Sequence, residues 1–476
     1  MECSSCEPRS VPSCPYISNA YEINTRFSFA MRMIGIGLKG MQKFCGIMDL
    51  AAPVMQTTYD MIVKNILTAS ESVREMICRS AVQEEKDMTT GATNDENEGL
   101  TVSGDGTWRK RGFNSLLGIS TVIGHYTGKV LDIEVKCKYC KSCEFWENKQ
   151  GTAEFEDWAN HHADNCTINH EGSSGKMEVD AMCDIFARSV EKYGVKYINY
   201  IGDGDSKTFK GIVDSAPYGD TEITKKECVG HVQKRMGTRL RNCKKNTQGL
   251  GGREKLTGNL IDKLTIYYGL AIRRNSNSVE NMKKAIMATF LHMISTDQKP
   301  QHHECPPGSD SWCSWQQAKA TNTLNSYHHK PALHPDVAKA IEPIFRDLNS
   351  DNLLQRCVGG YTQNSNESFN NVVWRIAPKV SHSGSNIVNM AANIATCIFN
   401  SGTKSYFEVM DTLGIKVGRN ADRYCEVEDA ERIRMGEIKA HNATREGRIQ
   451  RRQSRIAAED AATAAEGLLY GPGIAD

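Results

Sequence analysis

Charge of one sign is what this 476-residue chain most plainly lacks: 58 Lys and Arg stand against 57 Asp and Glu, a formal net charge of +1. No global basic field announces a polyanion partner, so any nucleic-acid surface must be local. Long apolar runs are missing as well. Among the longest, Ile387 to Phe399 carries Asn and is too short to span a bilayer, which excludes an integral-membrane chain built of helices. The opening MECSSCEPRS has no apolar h-region, so secretion is not expected. Aromatic residues are only 7%, yet 39% apolar and 24% charged residues make an ordinary globular composition. The length suffices for two or three packed units, and collagen-like and wholly disordered classes are excluded. No internal repeat is visible. Cysteine, by contrast, is abundant: 17 in a chain not expected to be secreted point to reduced thiols and metal ligands rather than a disulfide scaffold.

Residues 1–20 are rich in Cys, Ser and Pro and read as a loop; Cys3, Cys6 and Cys14 are either half of a zinc site or incidental thiols. Residues 21–83 read as helical, with Phe27, Ala30, Met31, Ile34 and later Met61, Ile62 and Ile66 recurring at three and four. Residues 84–99, ending in TTGATNDENEG, read as a polar linker. From residue 100 the texture changes. LTVSGDGTW, NSLLGISTVIGHY and KVLDIEVKC are three β-rich runs separated by turn residues, which predicts an antiparallel meander. A Cys/His-rich insertion occupies 137–170, then Met177, Met182, Ile185, Phe186 and Val190 mark an amphipathic helix. VKYINYIGD reads as a buried strand, DSKTFKGIVDSA as a helix and KECVGHV as a short strand or turn. The pattern predicts an α/β sheet in 100–255, a mostly helical stretch in 256–355 broken by QKPQHHECPPGSDSWC, and further helices in 356–415. The tail, 416–476, is charged and without a broad apolar face, so it reads as a solvated helix or disorder.

Three acids stand at ends or starts of these elements. Asp105 closes the first strand between glycines; Asp203 ends YINYIGD, with Asp205 two residues on; Glu367 lies in the helical TQNSNESFNNVVW. Phosphodiester cleavage needs charge stabilised on the entering and leaving oxygens, and two Mg²⁺ ions about 4 Å apart do this when held by hard carboxylate oxygens. Asp-Gly is also a common turn dipeptide, and Glu367 points away from the apolar stripe Phe369, Val372, Val373 and Ile376, as any solvated Glu would. Its neighbours on that side are Asn364, Asn370, Asn371 and Trp374, a face suited to a polar cleft. Spacing alone leaves both readings open.

DGTW, GDGDSK, ECVGH and NESFN, in this order, resemble the Mutator-like (MULE) transposases, particularly the animal Mutator-like transposase domain. RFSFAMRMIGIGLKGMQKFCGIMDL, TVSGDGTWRKRGFNSLLG, GSSGKMEVD, ECVGHVQKRMGTRLR and SWCSWQ resemble further blocks of that group, and the likeness runs from about Tyr21 to Asn420. The resemblance implies an RNase H-like core, a mixed sheet flanked by helices, with a large α-helical insertion before the catalytic Glu. It implies a DDE triad of Asp105, Asp203 and Glu367 binding two Mg²⁺ or Mn²⁺ ions; Asp205 competes with Asp203, which ends its strand directly. The implied reaction is metal-dependent cleavage of double-stranded DNA at inverted repeats and transfer of the 3′-OH into target DNA, in the nucleus, by a homo-oligomer that synapses two ends. The competing expectation is a transposon-derived, non-catalytic DNA-binding or regulatory protein.

In the 137–170 insertion, Cys140 and Cys143 form a C-x2-C pair and His162 and Cys166 an H-x3-C pair, a spacing suited to a closed tetrahedral structural zinc. Cys137 can replace Cys140 and His161 can replace His162 on spacing alone; the family pattern matches Trp158, His162 and Cys166 and selects His162. Cys228 and His231 resemble the family's CxxH and form a possible zinc or structural pair, which His302, His303, Cys305 and Cys313 are positioned in sequence to complete. Trp312 and Trp315 are read as core aromatics or as base-stacking groups. The segment 225–255 holds ten Lys/Arg against two Glu. Lys234, Arg235, Arg239, Arg241, Lys244 and Lys245, with Arg109, Lys110 and Arg111 after the first acid, are the candidate phosphate contacts.

Overall fold

The structure, a computed structural model, describes residues 14–18, 20–93, 99–110, 115–204, 206–252, 255–380 and 383–469. Cys3, Cys6, Arg111 and Asp205 lie outside the described residues. A two-stranded ribbon, β1 (Tyr16–Ile17) and β2 (Ala20–Tyr21), leads into α1 (Glu22–Met33), α2 (Leu38–Ile47) and the long α3 (Gln56–Thr93). Three strands follow, β3 (Leu100–Trp108), β4 (Leu117–Gly124) and β5 (Val130–Cys137), then the short α4 (Lys141–Trp146) and α5 (Ala153–His162). Next come α6 (Ser174–Tyr193), β6 (Tyr197–Gly202), α7 (Ser206–Asp214) and β7 (Thr224–Glu227). A helical excursion contains α8 (Val229–Asn246), α9 (Gly258–Arg274), α10 (Val279–Ile294), α11 (Ser314–Ala320), α12 (Pro335–Asp347) and α13 (Asp351–Cys357). The chain closes with α14 (Asn364–Ile376), α15 (Ser385–Ser401), α16 (Ser405–Thr412), α17 (Arg419–Ala443) and α18 (Arg445–Leu469).

β3 to β7 form one mixed sheet in the order β5-β4-β3-β6-β7. The meander β3-β4-β5 is antiparallel, as its closely spaced turns allow, whereas β6 runs parallel to β3 after the crossover helix α6, and β7 parallel to β6. Both faces are covered, so β4 is buried along its whole length and reads as LGISTVIG rather than as an alternating strand. Leu117, Ile119 and Ile123 enter a core with Ile62, Ile66 and Val73 of α3, Phe369 and Val373 of α14 and Ile394 of α15. On the opposite face, Leu100, Val102 and Val122 meet Met182, Ile185 and Phe186 of α6. The helical excursion has its own core, in which Val232, Met236 and Leu240 of α8 pack with Leu264 and Tyr268 of α9 and Phe345 of α12.

The helix α3 continues to Thr93, although the sequence reads as linker from Glu84. The reason is Glu85: its fully buried carboxylate accepts from Tyr126 N at 2.9 Å, Thr127 N at 2.8 Å and Thr127 Oγ1 at 2.6 Å, closing the β4–β5 turn. Gly124 leaves room for that carboxylate, which a Cβ there would strike. A second polar tie is Asp132 on β5, fully buried, which accepts from Arg188 Nε at 2.7 Å and faces Arg74 at 3.7 Å, linking α3, sheet and α6. The tail is helical rather than irregular, and the first half of α17 is docked: Thr403 N donates to both Asp429 oxygens, and Arg432 Nη1 donates to Ile398 O at 2.7 Å. Among the described residues, no helix is long and apolar enough to cross a membrane.

Candidate active site and metal centres

On β3 the pleat sends Thr101, Ser103, Asp105 and Thr107 to one face, and α14 lies across it. Successive same-face strand residues are about 6.7 Å apart and helix residues at i, i+4 about 6 Å apart, so a helix running along a strand can match it residue for residue. That match is seen: Ser103 Oγ donates to Asn366 Oδ1 at 2.6 Å, Asn370 Nδ2 donates to Asp105 Oδ2 at 2.9 Å, and Trp374 Nε1 donates to Thr107 Oγ1 at 2.9 Å. One turn earlier, Gln363 Nε2 donates to Gly104 O at 2.7 Å, while its Oε1 accepts from His231 Nδ1 at 3.0 Å. Gln363 and Asn366 are functional-site residues that sequence reasoning missed. The available signal was an amide stripe, Gln363, Asn366 and Asn370, at helical spacing on the side adjoining Trp374.

Of the three acids, Asp203 lines a cleft, Asp105 lies near it in the sheet, and Glu367 faces one of its lysines. Asp105, on the central strand, feels the charge of Asp203 at the end of the neighbouring β6. Burial first, and the Asp203 charge second, push the Asp105 carboxyl up to about 6, against the pull of the Asn370 amide and His231. Asp203 and His231 line a cleft of about 380 Å³ with Lys234, Arg235 and Arg239. Glu367 sits one turn before Asn370 with its side chain 60% exposed, and Lys234 Nζ approaches its Oε1 at 3.7 Å. Asn370 Oδ1 is buried without a hydrogen-bond partner among the described residues. An orphan oxygen on the amide that holds Asp105 is an acceptor that a hydrated divalent cation would satisfy. Among the described residues Asp105, Asp203 and Glu367 do not form a group with all ligand atoms within 4.8 Å of one another, unlike the two cysteine–histidine groups below; their hard oxygen donors are of the kind that Mg²⁺ or Mn²⁺ takes.

Three arginines of the basic set are compensated by acids. α8 buries Val229, Val232, Met236 and Leu240 and turns its cations outward. There Arg235 pairs with Glu227 at 2.6 Å, Arg239 with Asp347 at 3.1 Å and Arg241 with Asp262 at 2.8 Å. Arg109 Nη1 donates to Ser383 O at 3.1 Å, and Lys110 N donates to Ser115 Oγ at 3.5 Å. Lys244, half-buried, and Lys245, exposed, lie on the last turn of α8.

Two groups of cysteine and histidine converge. Cys140 and Cys143 Sγ lie 3.3 and 3.4 Å from His162 Nε2, and Cys143 Sγ lies 3.6 Å from Cys166 Sγ. With Zn–S near 2.3 Å and Zn–N near 2.05 Å, the edges of a ligand tetrahedron measure about 3.5–3.8 Å, so these residues fit zinc. Trp158 stacks on the His162 ring at 4.6 Å and Trp146 on Trp158 at 5.2 Å, which fixes the imidazole plane. Burial opposes the Cys140 thiolate, yet the N–H groups of Thr167 and Cys143 bring the thiol down to about 6. Cys137 instead donates to Tyr139 O at 3.1 Å, and the His161 ring is turned to Asp157 O at 2.8 Å.

His302, Cys305 and Cys313 do not complete a site with Cys228 and His231, correcting that expectation: they gather with His292, all ligand atoms within 4.8 Å of one another. The His302–Cys313 loop folds back on His292, near the end of α10. Among the described residues, Cys228 and His231 belong to no such group of three; their mutual hydrogen bond raises the imidazole and draws the thiol down against burial. Trp315 stacks on His302 at 5.0 Å and Trp312 contacts His292 at 5.1 Å, so both tryptophans pack on the cluster.

No curated protein matches the chain. Over residues 1–313 it matches the family described as Mutator-like transposase, a span that contains Asp105, Asp203, both cysteine–histidine groups and the whole β-sheet, and stops before α14. With the match covering well over half of its length, the chain belongs to the Mutator-like transposase family.

Proposed function

We propose that the chain is a DNA transposase that cleaves double-stranded DNA at inverted repeats and transfers the 3′-OH into target DNA, using an RNase H-like core. A mixed sheet covered by helices on both faces supports that core, and the family supports the transposase role. One observation supports the catalytic reading: α14 and the residue before it, 259 to 267 residues beyond β3, are fastened over Asp105 by side-chain hydrogen bonds, with Glu367 facing Lys234 of the cleft that Asp203 lines. Asp105, Asp203 and Glu367 would hold two Mg²⁺ or Mn²⁺ ions. When bound, these supply charge stabilisation to the entering and leaving oxygens of an in-line displacement. Asn370 orients Asp105, and Gln363 couples His231 to the backbone of β3. Lys234 and Arg235 at the cleft take DNA phosphates, joined by Arg109, Lys110, Arg239, Arg241, Lys244 and Lys245 along the approach. Cys140, Cys143, His162 and Cys166 hold a structural zinc, whose four protein ligands leave no open position for catalysis. Synapsis of two ends calls for a homo-oligomer, and the substrate for a nuclear location.

Strand cleavage of inverted-repeat DNA with Mg²⁺ tests this. Asp105→Asn, Asp203→Asn and Glu367→Gln are each expected to lower the rate by on the order of 10³-fold or more while DNA affinity holds. Binding without cleavage by the native protein would instead support a regulatory role. Loss of cleavage in Asp205→Ala with retention in Asp203→Ala would move the second ligand to Asp205.

A further inference from the structure

We propose that His292, His302, Cys305 and Cys313 bind a second structural zinc ion, and that Asp297 and His329 set the ligating nitrogen of His302. Asp297 Oδ1 accepts from His329 N at 2.9 Å and from His329 Nδ1 at 2.6 Å. A carboxylate only accepts, so His329 carries a proton on Nδ1, and in the neutral ring its Nε2 is a lone pair. That Nε2 lies 2.9 Å from His302 Nε2, which must therefore be the donor. Ser295 Oγ, 2.9 Å from both rings and accepting from Gln301 N, suits the same tautomers, sharing the His302 proton as a second acceptor or turning its own proton to His329. The His302 lone pair is thus left on Nδ1. This is the atom 3.7 Å from Cys305 Sγ and 3.4 Å from Cys313 Sγ. His292 Nδ1 stands 3.9 Å from Cys305 Sγ on the other side.

Two imidazole nitrogens and two sulfurs so disposed suit tetrahedral Zn²⁺. A carboxylate acting through imidazole on a ligand histidine is what orients metal ligands in general; here a second imidazole is interposed. The fold also needs something at this place. Residues 295–313 carry no regular element, and the local apolar cluster is Ala288, Cys305 and Cys313 with Trp315 against it. A loop of this length with so little apolar content gains its order from a ligand that ties its ends, and here the ion ties the loop to the end of α10. Gln316, donating to His302 O at 2.8 Å and reaching Cys305 O, holds the backbone of two ligands in register.

Elemental analysis of the purified full chain, loaded with zinc under reducing conditions and desalted, is expected to give two zinc atoms per chain. Cys305→Ser/Cys313→Ser and Cys143→Ser/Cys166→Ser should each retain one. The latter, reconstituted with Co²⁺, should show tetrahedral ligand-field bands with sulfur charge transfer from two thiolates rather than three. Asp297→Ala should bind the second ion roughly 10- to 100-fold more weakly by chelator competition, with the first unchanged. A native content of one zinc that survives Cys305→Ser/Cys313→Ser overturns the site, as does a Cys305–Cys313 disulfide in the zinc-loaded protein. Unaltered affinity in Asp297→Ala overturns the role of the Asp297–His329 pair. Failure of the first zinc site would appear separately, as one zinc lost by Cys305→Ser/Cys313→Ser alone.

Discussion

Asp105 is the residue on which acidity and the proposed metal binding meet. Its carboxyl is raised from the ordinary 3.8 to about 6, chiefly by burial and then by Asp203. The sign follows from linkage: a raised carboxyl favours folding in its protonated form, so that contribution is complete below about 4 and is lost as pH rises through about 6. A divalent cation needs the ionised form and competes with the proton. Mg²⁺ affinity is therefore expected to fall by up to about tenfold per pH unit below 6. Thermal melts should show a larger Mg²⁺-induced rise at pH 7.5 than at pH 5. Equal rises at both would mean that Asp105 is not a ligand. Lys234 belongs to the same balance, since its ammonium now faces the Glu367 carboxylate.

At the scale of elements, the junction of α14 with β3 joins fold and site. Asn366, fully buried, accepts from Ser103 Oγ and directs its amide to Ser103 O and Thr121 Oγ1, each at 3.3 Å. Removing it strands buried polar groups at roughly 1–3 kcal/mol apiece. Asn366→Ala is thus expected to cost on the order of 2–4 kcal/mol in urea unfolding. It should also slow cleavage more than it weakens DNA binding. A cost below about 1 kcal/mol would mean that the helix is held by Phe369 and Val373 alone. Much of this architecture was legible. β-rich runs separated by turn residues gave the meander, the largely apolar YINYIG gave β6, and the stripe of Phe369, Val373 and Ile376 gave α14. What escaped is polar and buried. Glu85, Gln363 and Asn366 look like solvent-facing residues in a sequence, because only the partner across the fold converts each into an anchor. His292 was hidden for the opposite reason, standing in the otherwise apolar run of α10.

For the whole molecule, near-neutral charge and the pairing along α8 would set the strength of the proposed DNA contacts. Arg239 and Arg241 face Asp347 and Asp262 across exposed pairs, which are individually weak. Asp347→Asn and Asp262→Asn are therefore expected to strengthen DNA binding several-fold at low salt and to steepen its salt dependence, measured by fluorescence anisotropy across a salt series. No change would put those arginines off the DNA path.

The helical excursion leaves the sheet at Cys228 and returns at Tyr361, where Val229 N donates to Tyr361 O at 2.9 Å and Gln363 spans His231 and Gly104. Departure and return thus share a clasp, and everything strung between them hangs as a pendant. The pendant's length can be varied without altering where α14 lands, so the number of residues separating Asp203 from Glu367 carries no information about their distance in space. A rigid rotation of the pendant, by contrast, would pull directly on the clasp, and through His231 and Gln363 on the strand that bears Asp105.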